Sequence, residues 1–495
     1  MTFRRIVALL FLASLCAIGA QVVSQPPMTI QQVNKFVYVD GVKYKTIQSC
    51  VTAAAALSSP GTCIVPTGTP NTSQVEMASG VNLEFASGTF VNTGTGGGVF
   101  IHFGSSIVGG SVKGRGIGST VLKNNSTGSQ FGAVVQDEGT DDSISDLTMD
   151  GNGNSTDTMI HVAGVVRPHV HKVKIIADAA SCLSSGGGRS YGWDFRSGSE
   201  LDASDIEAVG GQQDAIQFGA FATDTTTITG GRLVNVYAHD SCHNGMDIKA
   251  QGSSGYINGL EISNARFIHN GLASGTAGDT MDDNYGFNAV ATLSVDGSSI
   301  SNLLISNIVA TGNTGSGIRI KGDVHESVIQ GIISESNGGG TGDTDAVAIV
   351  SGAGTTAPVR NIFSGIARKG SATNALSTDA NTQANTFEFN VGADAVSFGN
   401  GNDFYRLQTA TGGQQAIGPL YLGITSASAC KTAPSITNVT GAGICLNGAT
   451  VYNPSGPINA QSFGIGSTPG FSGTKVAGAC TLTISGGIIT GVSGC

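Results

Sequence analysis

The middle of the chain repeats one pattern of apolar and polar positions. A short strand rich in β-branched residues leads into a Gly/Asn turn, and then into a strand that alternates polar and apolar side chains. The second strand recurs as TMIHV (158–162), YGWDF (191–195), DAIQF (214–218), NGMDI (244–248), YGFNA (285–289), SGIRI (316–320) and DAVAI (345–349), at intervals of 23 to 41 residues. The first recurs as VKIIAD (173–178), VNVYAH (234–239), ARFIHN (265–270) and IVATGN (308–313). A period of two predicts strands with one face inward. No single unit can bury that face alone, so the units must stack. The pattern therefore predicts an all-β parallel solenoid, with the variable intervals absorbed by loops at the turns. Asp178, His239, Asn270, Asn313 and Asn337 fall at matching turn positions. Stacking at about 4.8 Å would set such amides in ladders. The one helix predicted is Thr46–Leu57, a cap over the open end of the stack that would block edge-to-edge pairing.

Composition sharpens this picture. The chain has 74 Gly in 495 residues, 12% charged residues and a net charge of −10. Gly follows no every-third rule, which excludes collagen, and no basic tract marks a nucleic-acid partner. Arg4-Arg5, the apolar run Ile6–Ile18 and Gly19-Ala20 read as a secretory signal over residues 1–20. A lipid anchor on Cys16 fits less well, because Leu15 stands where a small residue is wanted. No later stretch is apolar for long enough to span a membrane. The solenoid is expected over 21–398 and a small β appendage over 399–495, where the repeat stops. The appendage ends in CTLTISGGIITGVSGC, expected to form a hairpin about Gly486-Gly487. Nothing in the pattern sets an oligomeric state.

Cys16 lies in the leader, which leaves an even number of the nine cysteines in an exported chain, and that favours disulfides. Local spacing suggests Cys50–Cys63, Cys430–Cys445 and Cys480–Cys495, with Cys182 and Cys242 left to pair.

With these features the chain resembles the right-handed parallel β-helix, or pectin-lyase-like, superfamily. The resemblance rests on YVDGVKYKTIQSCVTAAA (38–55), on GTCIVPTGT (61–69) and on the repeats up to about Asn390. It implies a fold and leaves the reaction open, since one fold hosts many activities.

Chemistry is expected on the repeated second strand. Its third and fifth residues face the core, so its fourth faces out. Down the stack the fourth residues are His161, Asp194, Gln217, Asp247, Asn288, Arg319 and Ala348. Two positions on come Ala163, Arg196, Gly219, Lys249, Val290, Lys321 and Val350. The bland reading is a solvated sheet face carrying ordinary surface ion pairs. The sharper reading is a site for an acidic polysaccharide, with Arg196, Lys249, Arg319 and Lys321 making a locally basic groove. Asp194 and Asp247, two rungs apart, would stand roughly 9.6 Å from each other, at the upper limit for an inverting glycosidase. Asp214, in the turn before its strand, is a third candidate carboxyl. Elimination from a uronate would instead use Arg319, Lys321 or Lys249, with Ca²⁺ bridging the substrate.

The same strands are similar to those of polygalacturonase-type glycoside hydrolases, whose rungs carry N-T-D, D-D-C, G-H-G and R-I-K in order. Here they read QQDAIQF (212–218), HNGMDIK (243–249), NYGFN (284–288) and GIRIK (317–321). Asp214 matches the first acid, and Arg319 and Lys321 match R-I-K. The resemblance implies contacts to a substrate carboxylate from Arg319 and Lys321; Gln217, His243, Lys249, Tyr285 and Asn288 are further candidates for lining the groove. It does not extend to the acid pair, replaced by His243-Asn244, or to the His, replaced by Tyr285.

Two other groups could hold metal. Asp279, Asp282 and Asp283 lie in the longest insertion and could ligate Ca²⁺, although the spacing is not that of an ordered calcium loop. His169 and His171, at i and i+2, would share one face of a strand, with no third ligand identifiable from sequence. The lone Trp193 occupies a core position.

Overall fold

The computed structural model describes residues 35–399, apart from 58, 60, 72, 94–97, 126–131, 152–157, 178–181, 183–190, 222–226, 253–254, 273–283, 292–296, 339–343 and 353–355. Beyond these it describes 403–409, 414–417, 444–446, 449–452, 473–477, 480–485 and 488–493. The strands coil into a parallel β-helix with three walls: one of 17 strands, one of 12 and one of 6. The 12-stranded wall holds the repeated second strands in the expected register, Ile160↔Trp193↔Ile216↔Met246↔Phe287↔Ile318↔Val347. These residues are all fully buried and, with Phe195, Phe218 and Phe287, fill the interior of the coil. Further along, Phe363, Phe387 and Tyr405 stack face to face at 5.1 and 5.0 Å, one ring per rung.

The long wall differs from the expected short strands. Its members run eight residues, such as His169–Ile176, Asp202–Val209, Arg232–His239, Glu261–Ile268 and Leu304–Thr311. Each is bent at its fourth residue by a left-handed conformation: Lys172, Asp205, Asn235, Asn264 and Asn307 have φ between 53° and 58°. That residue drops out of the core-facing alternation, so core contacts fall at Val170, Val173 and Ile175, first three apart and then two. Asn and Asp tolerate this conformation better than other non-Gly residues. Their side chains also bond along the stack, Asn235 to Asp205 at 2.9 Å, Asn264 to Asn235 at 3.2 Å and Asn307 to Asn264 at 3.2 Å.

A second ladder is buried. Asn270 donates to Asn313 Oδ1 from both its backbone and its side chain, at 3.0 Å each. Asn313 repeats both bonds to Asn337 at 3.0 and 2.9 Å. The preceding rung contributes Ser241, which donates to Asn270 Oδ1. His239 is therefore not a ladder residue, as its turn position had suggested; it ends its strand two residues before Ser241. Asp178 lies outside the described residues. A further ladder links Ser327, Asn361, Asn385 and Asp403.

The cap helix spans Ile47–Ala55, with Thr46 as N-cap and Ser49 completing a reciprocal capping box. Its inner face, Ile47, Cys50, Val51 and Ala54, is buried on the first rung. A disulfide from Cys50 to Cys63 ties it to the strand Thr62–Val65, and a second disulfide joins Cys182 to Cys242. Thr46→Ala should lower stability by about 1 kcal/mol, because the Thr46 hydroxyl accepts from the otherwise orphaned Ser49 N–H. A urea titration checks this; an unchanged midpoint would mean the helix is held by its packing alone.

The parallel stack does not stop near residue 398. Phe404–Thr409 adds a parallel strand to Thr386–Gly392, and Gln414–Ile417 then pairs antiparallel. Ile444–Leu446 and Ala449–Tyr452 form one antiparallel pair, and Cys480–Ser485 and Ile488–Ser493 another; Gly486 and Gly487 lie outside the described residues. The pairings Cys430–Cys445 and Cys480–Cys495 involve side chains outside the described residues. Among the described residues, no helix is long and apolar enough to cross a membrane.

Candidate functional site

On the outer side of the 12-stranded wall the fourth residues form one unbroken column. It runs His102↔Gln136↔His161↔Asp194↔Gln217↔Asp247↔Asn288↔Arg319↔Ala348. The sequence pattern had shown it only from His161 on. A neighbouring column runs Gly219↔Lys249↔Val290↔Lys321↔Val350, with Arg196 on the rung before Gly219.

The column is not the solvated stripe that alternation suggests. Asp194 and Asp247 are each 1% exposed and Arg319 is 4% exposed; Gln217 and Asn288 are buried as well. Aromatic rings and cations pack over it. The Arg196 guanidinium lies 4.5 Å from the Phe221 ring centroid and 5.7 Å from that of Tyr191. The Arg319 guanidinium lies 4.5 Å from that of Tyr285, itself fully buried. Gly219 makes room for this layer, since a Cβ there would run into the Phe221 ring. Tyr191 and Phe221 went unnoticed in the sequence; a Gly interrupting a row of long side chains was the available signal.

Each candidate carboxyl has defined partners. Asp194 accepts from Arg196 Nε at 2.7 Å, and His161 Nδ1 lies 3.3 Å from the same oxygen. Asp247 accepts from Asn288 Nδ2 at 2.9 Å. Asn288 thus stands between Asp247 and Arg319, which occupy alternate rungs. Asp214 belongs to the turn: one oxygen accepts from the backbone and side-chain amides of Asn244 at 3.0 and 2.9 Å, and the other from Gln217 at 3.2 Å. Its place beside a substrate gives way to a role in holding the turn. His243 is half-buried in the same turn region and donates its backbone N–H to Gln213. Trp193 lies wholly in the core.

Solvent reaches the edges of the column. His161, Arg196, Lys249 and Lys321 are half-buried and border the sealed acids. The wall therefore presents cations at its surface and carboxyls beneath them. Asp279, Asp282 and Asp283 lie outside the described residues.

Two further carboxyls, away from the column, are displaced upward. Burial, reinforced by the charge of Asp137, pushes Asp142 up to about 8, and burial pushes Asp137 up to about 6. Both are essentially inaccessible, and each affects the ionisation of the other. Asp137 also accepts from Gly139 N–H at 3.0 Å and Asp142 from Gly110 N–H at 2.7 Å. This pair sits at a corner of the coil, where it ties loop backbone together.

No protein-family model and no curated protein matches the chain. Several solved structures overlap it in part. A mannuronan C-5 epimerase A-module of Azotobacter vinelandii is similar at 16% identity, over 71% of this chain and 90% of that one, with a TM-score of 0.41. The Dettilon tailspike protein is similar at 13% identity, over 75% and 70% of the two chains, with a TM-score of 0.44. A tailspike protein of the E. coli bacteriophage HK620 is similar at 9% identity, over 73% and 76%, with a TM-score of 0.43.

Proposed function

We propose that this is a secreted carbohydrate-active protein that holds an anionic, uronate-containing polysaccharide along the 12-stranded wall and cleaves it by elimination. The observation that carries the reading is the row of Arg196, Lys249 and Lys321 bordering a registered column of Asp, Asn, Gln and Arg. Rungs stack at about 4.8 Å, close to the advance of one sugar unit in an extended glycan. Cations on alternate rungs, roughly 9.6 Å apart, then meet the carboxylate of every second sugar. In a chain of net charge −10 such a row focuses an acidic ligand locally.

Elimination fits the geometry better than hydrolysis. Hydrolysis needs both Asp194 and Asp247 at the scissile bond, and each is sealed beneath other side chains. In elimination a cation neutralises the uronate carboxylate and acidifies the adjacent C5 proton. A base takes that proton, the C4–C5 double bond forms, the C4–O bond breaks and the departing oxygen takes up a proton. Lys249 and Lys321 are the accessible groups for these roles, and Arg319 supports them from below. The leader expected at 1–20 and the two disulfides support export.

Incubation with polygalacturonate, alginate and neutral glycans, with and without Ca²⁺, tests this. Unsaturated-uronate absorbance is the expected product signal. Lys249→Met and Lys321→Met should each lower turnover or affinity on the acidic glycan roughly 10-fold and reduce its salt dependence. Reducing ends without that absorbance would replace elimination by hydrolysis.

The sealing of Asp194 and Asp247 and the missing acid pair at 243–244 favour a second reading, a non-catalytic glycan-binding or adhesion protein. Salt-sensitive binding without product on any glycan would establish it.

A further inference from the structure

We propose that His169, His171 and Asp202 form a surface site for a borderline divalent transition ion such as Zn²⁺. The site lies on the long wall and is independent of the glycan reading.

The strands His169–Ile176 and Asp202–Val209 pair in parallel with His169 opposite Asp202 and His171 opposite Ser204. Residues at i and i+2 share a strand face. Val170 and Ala203 between them are buried, so His169, His171, Asp202 and Ser204 share the outer face. Register thus supplies the third ligand that the histidine pair lacked in sequence.

The distances suit an ion better than direct bonds. Asp202 Oδ2 lies 3.6 Å from His169 Nδ1 and 3.6 Å from His171 Nε2. Those separations exceed a good hydrogen bond. Around a tetrahedral Zn²⁺ with bonds of 2.0–2.2 Å, neighbouring donors stand about 3.4 Å apart. All three donor atoms lie within 4.8 Å of one another, so a small contraction brings them to one centre. His171 Nδ1 is 3.0 Å from Ser204 Oγ. Donation to that hydroxyl would leave the Nε2 lone pair for a metal, the usual way an outer partner orients a ligating imidazole.

The surroundings permit entry. The preceding rung places Ser143 opposite His169 and Ser145 opposite His171. On the following rung Arg232 stands opposite Asp202, with its guanidinium 3.9 Å from Glu261. All three ligands are partly exposed, which leaves a fourth position for water. Two imidazoles with one carboxylate select ions of the zinc type over Ca²⁺ and Mg²⁺, which take oxygen.

The test is calorimetric titration of the untagged full-length protein with Zn²⁺ alone, against Ca²⁺ and Mg²⁺. One equivalent of Zn²⁺ should bind near pH 7.5, and binding should weaken as pH falls through the histidine range. His171→Ala and Asp202→Asn should each reduce affinity about 10-fold or more, and His169→Ala with His171→Ala should abolish that equivalent. Circular dichroism of these exposed-site variants confirms folding, and the distant His325→Ala should leave the titration unchanged. Retention of the equivalent in the double variant, or equal affinity for Ca²⁺, overturns the assignment.

Discussion

Asn313→Ala should lower the free energy of unfolding by about 4 kcal/mol, through several buried polar groups that each cost about 1–3 kcal/mol when left unpaired. Its Oδ1 accepts from both the backbone and the side chain of Asn270, and its amide donates to Phe267 O at 3.1 Å and to Asn337 Oδ1 at 2.9 Å. All of these groups are sealed inside the coil, so water cannot replace the lost partner. Asn307→Gly is the matched control. It removes an exposed amide from the outer ladder but keeps the left-handed backbone, so its cost should stay within about 0.5 kcal/mol. The single, fully buried Trp193 gives a fluorescence readout for both urea curves. Equal midpoints for the two variants would mean that the buried amides add nothing beyond the strand pairing.

Asp142→Asn should stabilise the protein at neutral and alkaline pH and flatten its pH profile. The native carboxyl titrates near 8 and the unfolded one near 3.8. Between those values the folded state holds a proton that the unfolded state has lost. Stability is therefore fully present at the acid end and is lost as pH rises through the native value. At about 1.4 kcal/mol per unit, half of that displacement already amounts to about 3 kcal/mol. The replacement amide keeps an oxygen to accept from Gly110 N–H and carries no charge to bury beside Asp137. Melting temperatures from pH 5 to 9 provide the measurement. The wild type should fall across this range, while the variant falls only below about pH 6, where Asp137 still titrates, and is level above it; parallel curves would show that Asp142 ionises without cost.

Much of the coil was legible because its second strands keep a strict period of two from Ile160 to Val347, and strict alternation has one structural meaning. The long wall was only half legible. Its left-handed residues, such as Lys172 and Asn235, break the alternation without breaking the strand, so the first three residues of each look like loop. The polar column was legible in membership and register. Its burial was not, because contacts such as those of Tyr191 and Phe221 with Arg196 follow from no period in the sequence. Asp202 escaped for a different reason: what lies opposite His169 depends on the length of the intervening rung, and spacing in this chain varies too much to count it out.

Stacking by rungs also makes the wall a ruler graduated in fixed steps. Because Lys249 and Lys321 are separated by the single rung of Val290, their spacing can change only by whole rungs gained or lost. On the proposed glycan reading, deletion of that one rung would bring the two cations onto neighbouring strands, to meet carboxylates on successive sugars. A coil of this kind adapts to a new ligand by counting, with no need to reshape a cavity.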